Sequence, residues 1–170
     1  HRRFDYPQAN HDRDSSGRIV IGLQTGDKYW AQYAYQFSHE FCHVLAGHSN
    51  DWRKKWRSLD TPHLWFEESL CEVASLFTLR SMGQSWVIDP PYPNWKSYAS
   101  SLKEYAQKRI NDPEHMLPAG DTFHAWFKEH ENELRHKWKQ RDKNTIVAKQ
   151  LLPLFEAYPE GWEAVSYIKL

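Results

Sequence analysis

His39-Glu40-Phe41-Cys42-His43 is the stretch on which the reading of this chain turns. On a helix, positions i and i+4 share one face, so the two imidazoles of this HExxH run can reach the same metal ion. Glu40 follows the first of them and is placed to act as a general base on a water at that metal. Outward from the motif, Asp27 reads as the N-cap of a helix running to about Ala46, with Gly47 marking its end. Trp30, Ala34, Phe37, Phe41 and Val44/Leu45 recur at three- and four-residue steps, a stripe expected to pack on the core. Gln36, His39 and His43 fall on a different face, expected to address a cleft. Before the helix, residues 18–23 (Arg-Ile-Val-Ile-Gly-Leu) form a short β-like run closed by Thr25-Gly26-Asp27. Residues 1–17 are polar and show no clear period.

A catalytic zinc site usually has three protein ligands and an open position. The metzincin extension puts a Gly three residues after the second His and a His six after; here those positions hold Ala46 and Ser49, and Gly47 and His48 each miss by one. The better candidate lies in Trp65-Phe66-Glu67-Glu68-Ser69-Leu70-Cys71-Glu72. Glu68 can be the third ligand. Glu72, one turn on, can accept a hydrogen bond from a ligand imidazole and fix its tautomer. A solvated acidic face near a helix N-terminus also accounts for Glu67 and Glu68, but less well for Glu72 amid Leu70, Cys71, Val73 and Ala74.

At this point the chain resembles the gluzincins, zinc metallopeptidases with HExxH on one helix and a glutamate on the next. Their second helix often reads Trp-x-x-Glu-small, and Trp65 sets that register on Glu68 rather than Glu67. The resemblance covers about residues 18–80. It implies one catalytic Zn²⁺ held by His39, His43 and Glu68, with Glu40 as general base and Glu72 as support behind a ligand. It further implies hydrolysis of a peptide or protein substrate. In such enzymes the metal acidifies its water and polarises the scissile carbonyl, and Glu40 would carry the proton to the leaving amine. An oxyanion donor is expected among Tyr92, Tyr98, Tyr105, His124 and His130. Residues 18–23 stand where zincins keep the edge strand that pairs with substrate. Zincins generally have more sheet before this strand, so either the upper part is reduced or upstream sequence is missing. Residues 21–26 lack the acidic residue of the gluzincin aminopeptidases, which favours an endopeptidase.

The remaining sequence reads as helical. Thr61-Pro62 opens a helix to about Met82, ended by Gly83. Asn94 caps a third, with Trp95, Tyr98, Leu102 and Tyr105 as its stripe. A fourth starts near Asp121, a fifth covers about 145–157, and a short one follows Pro159. Residues 48–60, with the basic cluster Arg53-Lys54-Lys55, read as a solvated connection with Trp52 and Trp56 turned inward. The expected fold is α+β and predominantly helical, zincin-like, with a small N-terminal sheet edge and a helical C-terminal part. It is one domain over residues 1–170, the upper part about 1–47 and the lower about 48–170.

Composition narrows the function further. With 22 basic and 22 acidic side chains in 170 residues, nothing electrostatic calls for nucleic acid, and no apolar run reaches the roughly 20 residues of a membrane span. The chain begins at His1 without Met, which suggests a processed or excised product. Cys42 and Cys71 each sit three residues after a proposed ligand and are expected close in space, as buried thiols in preference to a bridge. Nine Trp among 15 % aromatic residues also fit a second class: a zinc-containing peptide- or cell-wall-binding module without turnover. In a third reading His39 and His43 are core histidines and bind no metal.

Overall fold

In the computed structural model, the described residues are 6–26, 29–47 and 63–168. They form a hairpin, β1 (Gln8–Arg13) and β2 (Ile19–Gly22), and then helices α1 (Trp30–Gly47), α2 (Leu64–Ile88), α3 (Ala99–Ile110), α4 (Phe123–His136) and α5 (Arg141–Ala157). Short 3-10 turns lie at Pro93–Tyr98, Pro113–His115 and Pro159–Tyr167. The molecule is predominantly helical with one small antiparallel sheet. No helix among the described residues is long and apolar enough to cross a membrane. The expectations for Asp27, His48, Trp52, Trp56 and Thr61-Pro62 lie outside the described residues.

Helix α2 is the hub. From Glu67 to Leu76 every side chain is buried, because α1, α3 and α5 all pack on it. Its apolar positions, Leu70, Val73, Leu76 and Leu79, join Tyr35, Cys42, Leu102, Leu152 and Phe155 in the main core. A second cluster gathers Trp65, Trp126, Leu134, Ile146 and Val147 where α2 begins. Side chains lock the helices in register. The Ser75 hydroxyl donates to the Tyr35 carbonyl across α1 and α2 at 2.9 Å. The Asn144 amide donates from α5 to the Trp65 carbonyl at 3.0 Å and to Ser69 Oγ at 3.2 Å.

Several boundaries differ from the sequence reading. β1 lay in the stretch without clear period; its pairing partner β2 supplies the order its own pattern lacks. Helix α2 passes through Gly83 and ends at Ile88. A Cβ at Gly83 would stand 2.6 Å from Lys103 Cγ and 3.2 Å from the Ala99 carbonyl oxygen. This glycine therefore permits close approach of α3 rather than ending α2. Tyr92, not Asn94, precedes the third helical segment, which begins as a 3-10 turn and becomes α-helical at Ala99. Thr122 caps α4, its Oγ1 accepting from the Ala125 N–H at 3.2 Å. Helix α5 starts at Arg141, ahead of the expected 145.

The orientation of α1 is the main correction. Phe37 is 47 % and Phe41 42 % exposed, and Trp30 and Leu45 are exposed with them. The aromatic stripe does not pack on the core. The face turned inward carries Ala31, Tyr35, Cys42, His43 and Ala46. Small and polar side chains win this face because α2 brings Glu67, Glu68 and Glu72 there, and the imidazoles satisfy them.

Candidate metal centre

The inward face of α1 and the first turns of α2 converge on a cluster of imidazoles and carboxylates. Glu40, Glu67, Glu68 and Glu72 are all buried, so the solvated-face reading of Glu67 and Glu68 is overturned. His39 Nε2 lies 3.4 Å from Glu68 Oε2, and His43 Nε2 lies 3.4 Å from Glu68 Oε1. The two rings stand nearly edge to face, centroids 5.1 Å apart. The Nδ1 atoms turn the other way. His43 Nδ1 donates to Glu67 Oε1 at 2.8 Å. A carboxylate can only accept, so Nδ1 of this imidazole carries a proton and Nε2 is the atom turned to Glu68. His39 Nδ1 is 3.7 Å from Glu72 Oε2, an ion-pair contact longer than a hydrogen bond.

Glu72 is held from behind. The Tyr35 hydroxyl donates to its Oε1, Thr145 Oγ1 lies 3.2 Å from the same atom and shares its one proton with the Arg141 carbonyl at 2.8 Å, and Arg109 Nη2 lies 3.8 Å from it. Arg109 also stands over the Tyr35 ring, 5.5 Å from its centroid. Burial, and next the Glu72 charge, push the Tyr35 phenol well up, which keeps it a donor. Burial works against a charged His39, but the Glu68 and Glu72 carboxylates outweigh it and raise its pKa to about 10. Burial likewise opposes charge on Glu68 and Glu72, yet contact with His39 holds both below the usual carboxylate range.

This donor set fits a divalent cation. At the tetrahedral angle, Zn–N and Zn–O bonds of about 2.0–2.1 Å put neighbouring ligand atoms roughly 3.3–3.5 Å apart. Both Nε2-to-Glu68 distances fall in that range, each to a different oxygen of the carboxylate. The buried carboxylates also leave negative charge that a bound dication would offset. A second donor set overlaps the first: ligand atoms of His39, His43 and Cys71 lie within 4.8 Å of one another. Both cysteines are buried free thiols. Burial and contact with Cys42 push the Cys71 thiol well up, so it stays neutral where Glu68 is already ionised. A bound metal would itself deprotonate a coordinating thiol, so both donor sets stand open to the ion.

Of the candidate oxyanion donors, Tyr98 and His130 bond to main chain. The Tyr98 hydroxyl accepts from the Ala31 N–H at 3.1 Å, capping α1. Tyr105 packs edge-on against Tyr35. His130 Nδ1 bonds the Trp126 carbonyl at 3.0 Å, its ring stacked on the indole. Tyr92 packs on Trp95 and His124 is exposed on α4. The sequence reading missed Glu67, Tyr35, Arg109 and Thr145 as partners of the cluster. Tyr35 alone had a signal, lying four residues before His39 on the same helix face.

No protein-family model matches the chain, and neither the curated proteins nor the solved structures compared with it match. The functional reading rests on the geometry.

Proposed function

We propose that the protein is a zinc-dependent peptidase with a zincin-like site, hydrolysing peptide bonds within extended substrates. The observation that carries this reading is the convergence of both Nε2 atoms on the two oxygens of Glu68. His39, His43 and Glu68 would hold the ion. When bound, zinc supplies a Lewis acid for the scissile carbonyl and an acidified water. The chain's own residues do the rest. Glu67 fixes the His43 tautomer through its 2.8 Å bond, and Glu72 turns the far side of His39 toward a carboxylate pinned by Tyr35 and Thr145. Glu40 takes a proton as water adds to the carbonyl carbon and gives it to the nitrogen as the C–N bond breaks.

Zinc analysis and a peptide-cleavage assay test this together. The parent should bind about one zinc and cleave peptides. Glu40→Gln should keep the metal and lose cleavage by about 10²-fold or more. Cleavage that survives in Glu40→Gln overturns the mechanism.

One observation favours a second reading. Ligand atoms of His39, His43 and Cys71 lie within 4.8 Å of one another; with Cys71 added to the shell and no position left for water, the site would be closed, as in structural zinc centres. The protein would then be a zinc-containing binding module without turnover. Cys71→Ser separates the two: zinc affinity unchanged supports the open site, and a marked loss supports the closed one.

A further inference from the structure

Glu40 bonds to main chain. The Ala9 N–H of β1 donates to its Oε2 at 3.0 Å. In an antiparallel ladder, opposite residues either exchange both N–H bonds or turn them outward. Ala9 stands opposite Ile21, and its single N–H goes to Glu40. The edge of β1 that faces away from β2 therefore faces the carboxylate. Neighbouring strands need about 4.7–4.9 Å between them, so no second chain fits between Ala9 and Glu40. The strand β1 already lies where a polypeptide would run.

The chemistry agrees with the placement. A general base must come within about 2.6–3.2 Å of the group whose proton it handles. In the proposed hydrolysis Glu40 delivers a proton to a main-chain nitrogen; here a main-chain N–H donates to it, the opposite sense, which shows that backbone comes within its reach. Both strands of the hairpin pack on α1, through different bonds. Gln36 of α1 accepts from the Gln24 N–H at 2.9 Å and donates to the Gln24 carbonyl at 2.8 Å, fastening the segment that leaves β2. β1 also packs on α1 and bonds to it through the Ala9 contact; its ladder to β2 is irregular between Ala9 and Arg13, and the turn holds its far end. In that turn Asp14 accepts from the Ser16 and Arg18 N–H groups at 2.9 Å each. If β1 moved away, β2 would remain on α1 with a bare edge able to pair with an incoming strand.

We propose that the groove beside Glu40 is a binding track for an extended polypeptide backbone, and that this chain's own β1 occupies it. A peptide ligand must displace β1 and pair with β2 in its place. This rests on the peptidase reading above and names what the site binds and what stands in its way.

The test uses two probes on the zinc-loaded protein by calorimetry. Acetohydroxamic acid needs only the metal; a hydroxamate of tri-alanine needs the metal and the track. Ala9→Pro removes the N–H that holds Glu40, at a position whose N–H lies outside the ladder and so tolerates proline. Asp14→Ala loosens the turn at the far end of the hairpin. A competent state populated at about a tenth weakens apparent affinity about tenfold. Both variants should therefore bind the tri-alanine hydroxamate about tenfold more tightly than the parent, with acetohydroxamic acid little changed. In the parent, amide exchange at Ala9 should speed up when the longer probe binds. Equal affinity for the longer probe in parent and variants, with acetohydroxamic acid bound by all, overturns the proposal and leaves the metal centre standing. Protection of the Ala9 amide by the longer probe overturns it too. Failure of the parent to take up zinc overturns the metal reading and this proposal with it.

Discussion

Glu68 and Glu67 are neighbours in sequence, and the fold gives them different work. Glu68 faces both Nε2 atoms and Glu67 faces His43 Nδ1. Glu68→Ala should abolish tight zinc binding, whereas Glu67→Ala should weaken it by about 10–100-fold, the usual cost of losing a partner behind a ligand. Competition with a chromogenic chelator measures both; equal losses would contradict the division of roles. The metal-free protein should also carry a pH signature. His39 has a folded pKa raised to about 10, so its contribution to stability is complete below about 6.5, the unfolded value, and is lost as pH rises toward 10. Glu68 and Glu72 are shifted down, so theirs is present above about 4.5 and lost on acidification. Thermal melts of chelator-treated protein should therefore show Tm falling from pH 6.5 to 10. A flat profile would mean that the His39–Glu68 contact is not made in solution. The sequence displays His39, Glu40 and His43 through spacing alone. It cannot display Arg109 or Thr145, because nothing local links residues that meet Glu72 only after α3 and α5 have packed on α2.

At the scale of elements, amphipathic periodicity located α1 but misassigned its inward face. A stripe of Trp30, Phe37 and Phe41 is the ordinary mark of a core-facing side, yet the pairing of imidazole with buried carboxylate decides the rotation here. Burying Glu67, Glu68 and Glu72 without partners would cost several kcal/mol each, more than the roughly 1.5–3 kcal/mol gained by burying one Phe. Phe37→Ser and Phe41→Ser should accordingly lower stability by about 1 kcal/mol or less in urea melts, well short of the roughly 3–5 kcal/mol of a core aromatic truncated to Ala. A core-sized loss would restore the opposite orientation. Gly83→Ala sets two effects against each other. The helix interior gains up to about 1 kcal/mol from alanine, but the new Cβ meets Lys103 Cγ at 2.6 Å and Ala99 O at 3.2 Å. Overpacking of about 1–3 kcal/mol should win, and a raised Tm would show that α3 yields freely. The strand β2 and a helix start near Asp121 were legible because each is a local pattern. The strand β1 and the passage of α2 through Gly83 were not, since both depend on a partner distant in sequence.

For the whole molecule, the centre lies where α1 and α2, already joined through the main core, meet the hairpin. His39, Glu40 and His43 come from α1, Glu67, Glu68 and Glu72 from α2, and Ala9 of the hairpin closes onto Glu40. A metal at this junction would couple hairpin, α1 and the helical body, so zinc in excess should raise the unfolding temperature with the logarithm of its free concentration. The net charge of zero hides a local excess of buried acid. Zinc K-edge absorption spectroscopy of the zinc-loaded protein tests the centre most directly. The expected shell has only nitrogen and oxygen at about 2.0–2.2 Å, with imidazole scattering from two histidines. A sulfur at about 2.3 Å would bring Cys71 into the shell and contradict an open hydrolytic site, and a protein that holds no zinc would contradict the centre itself.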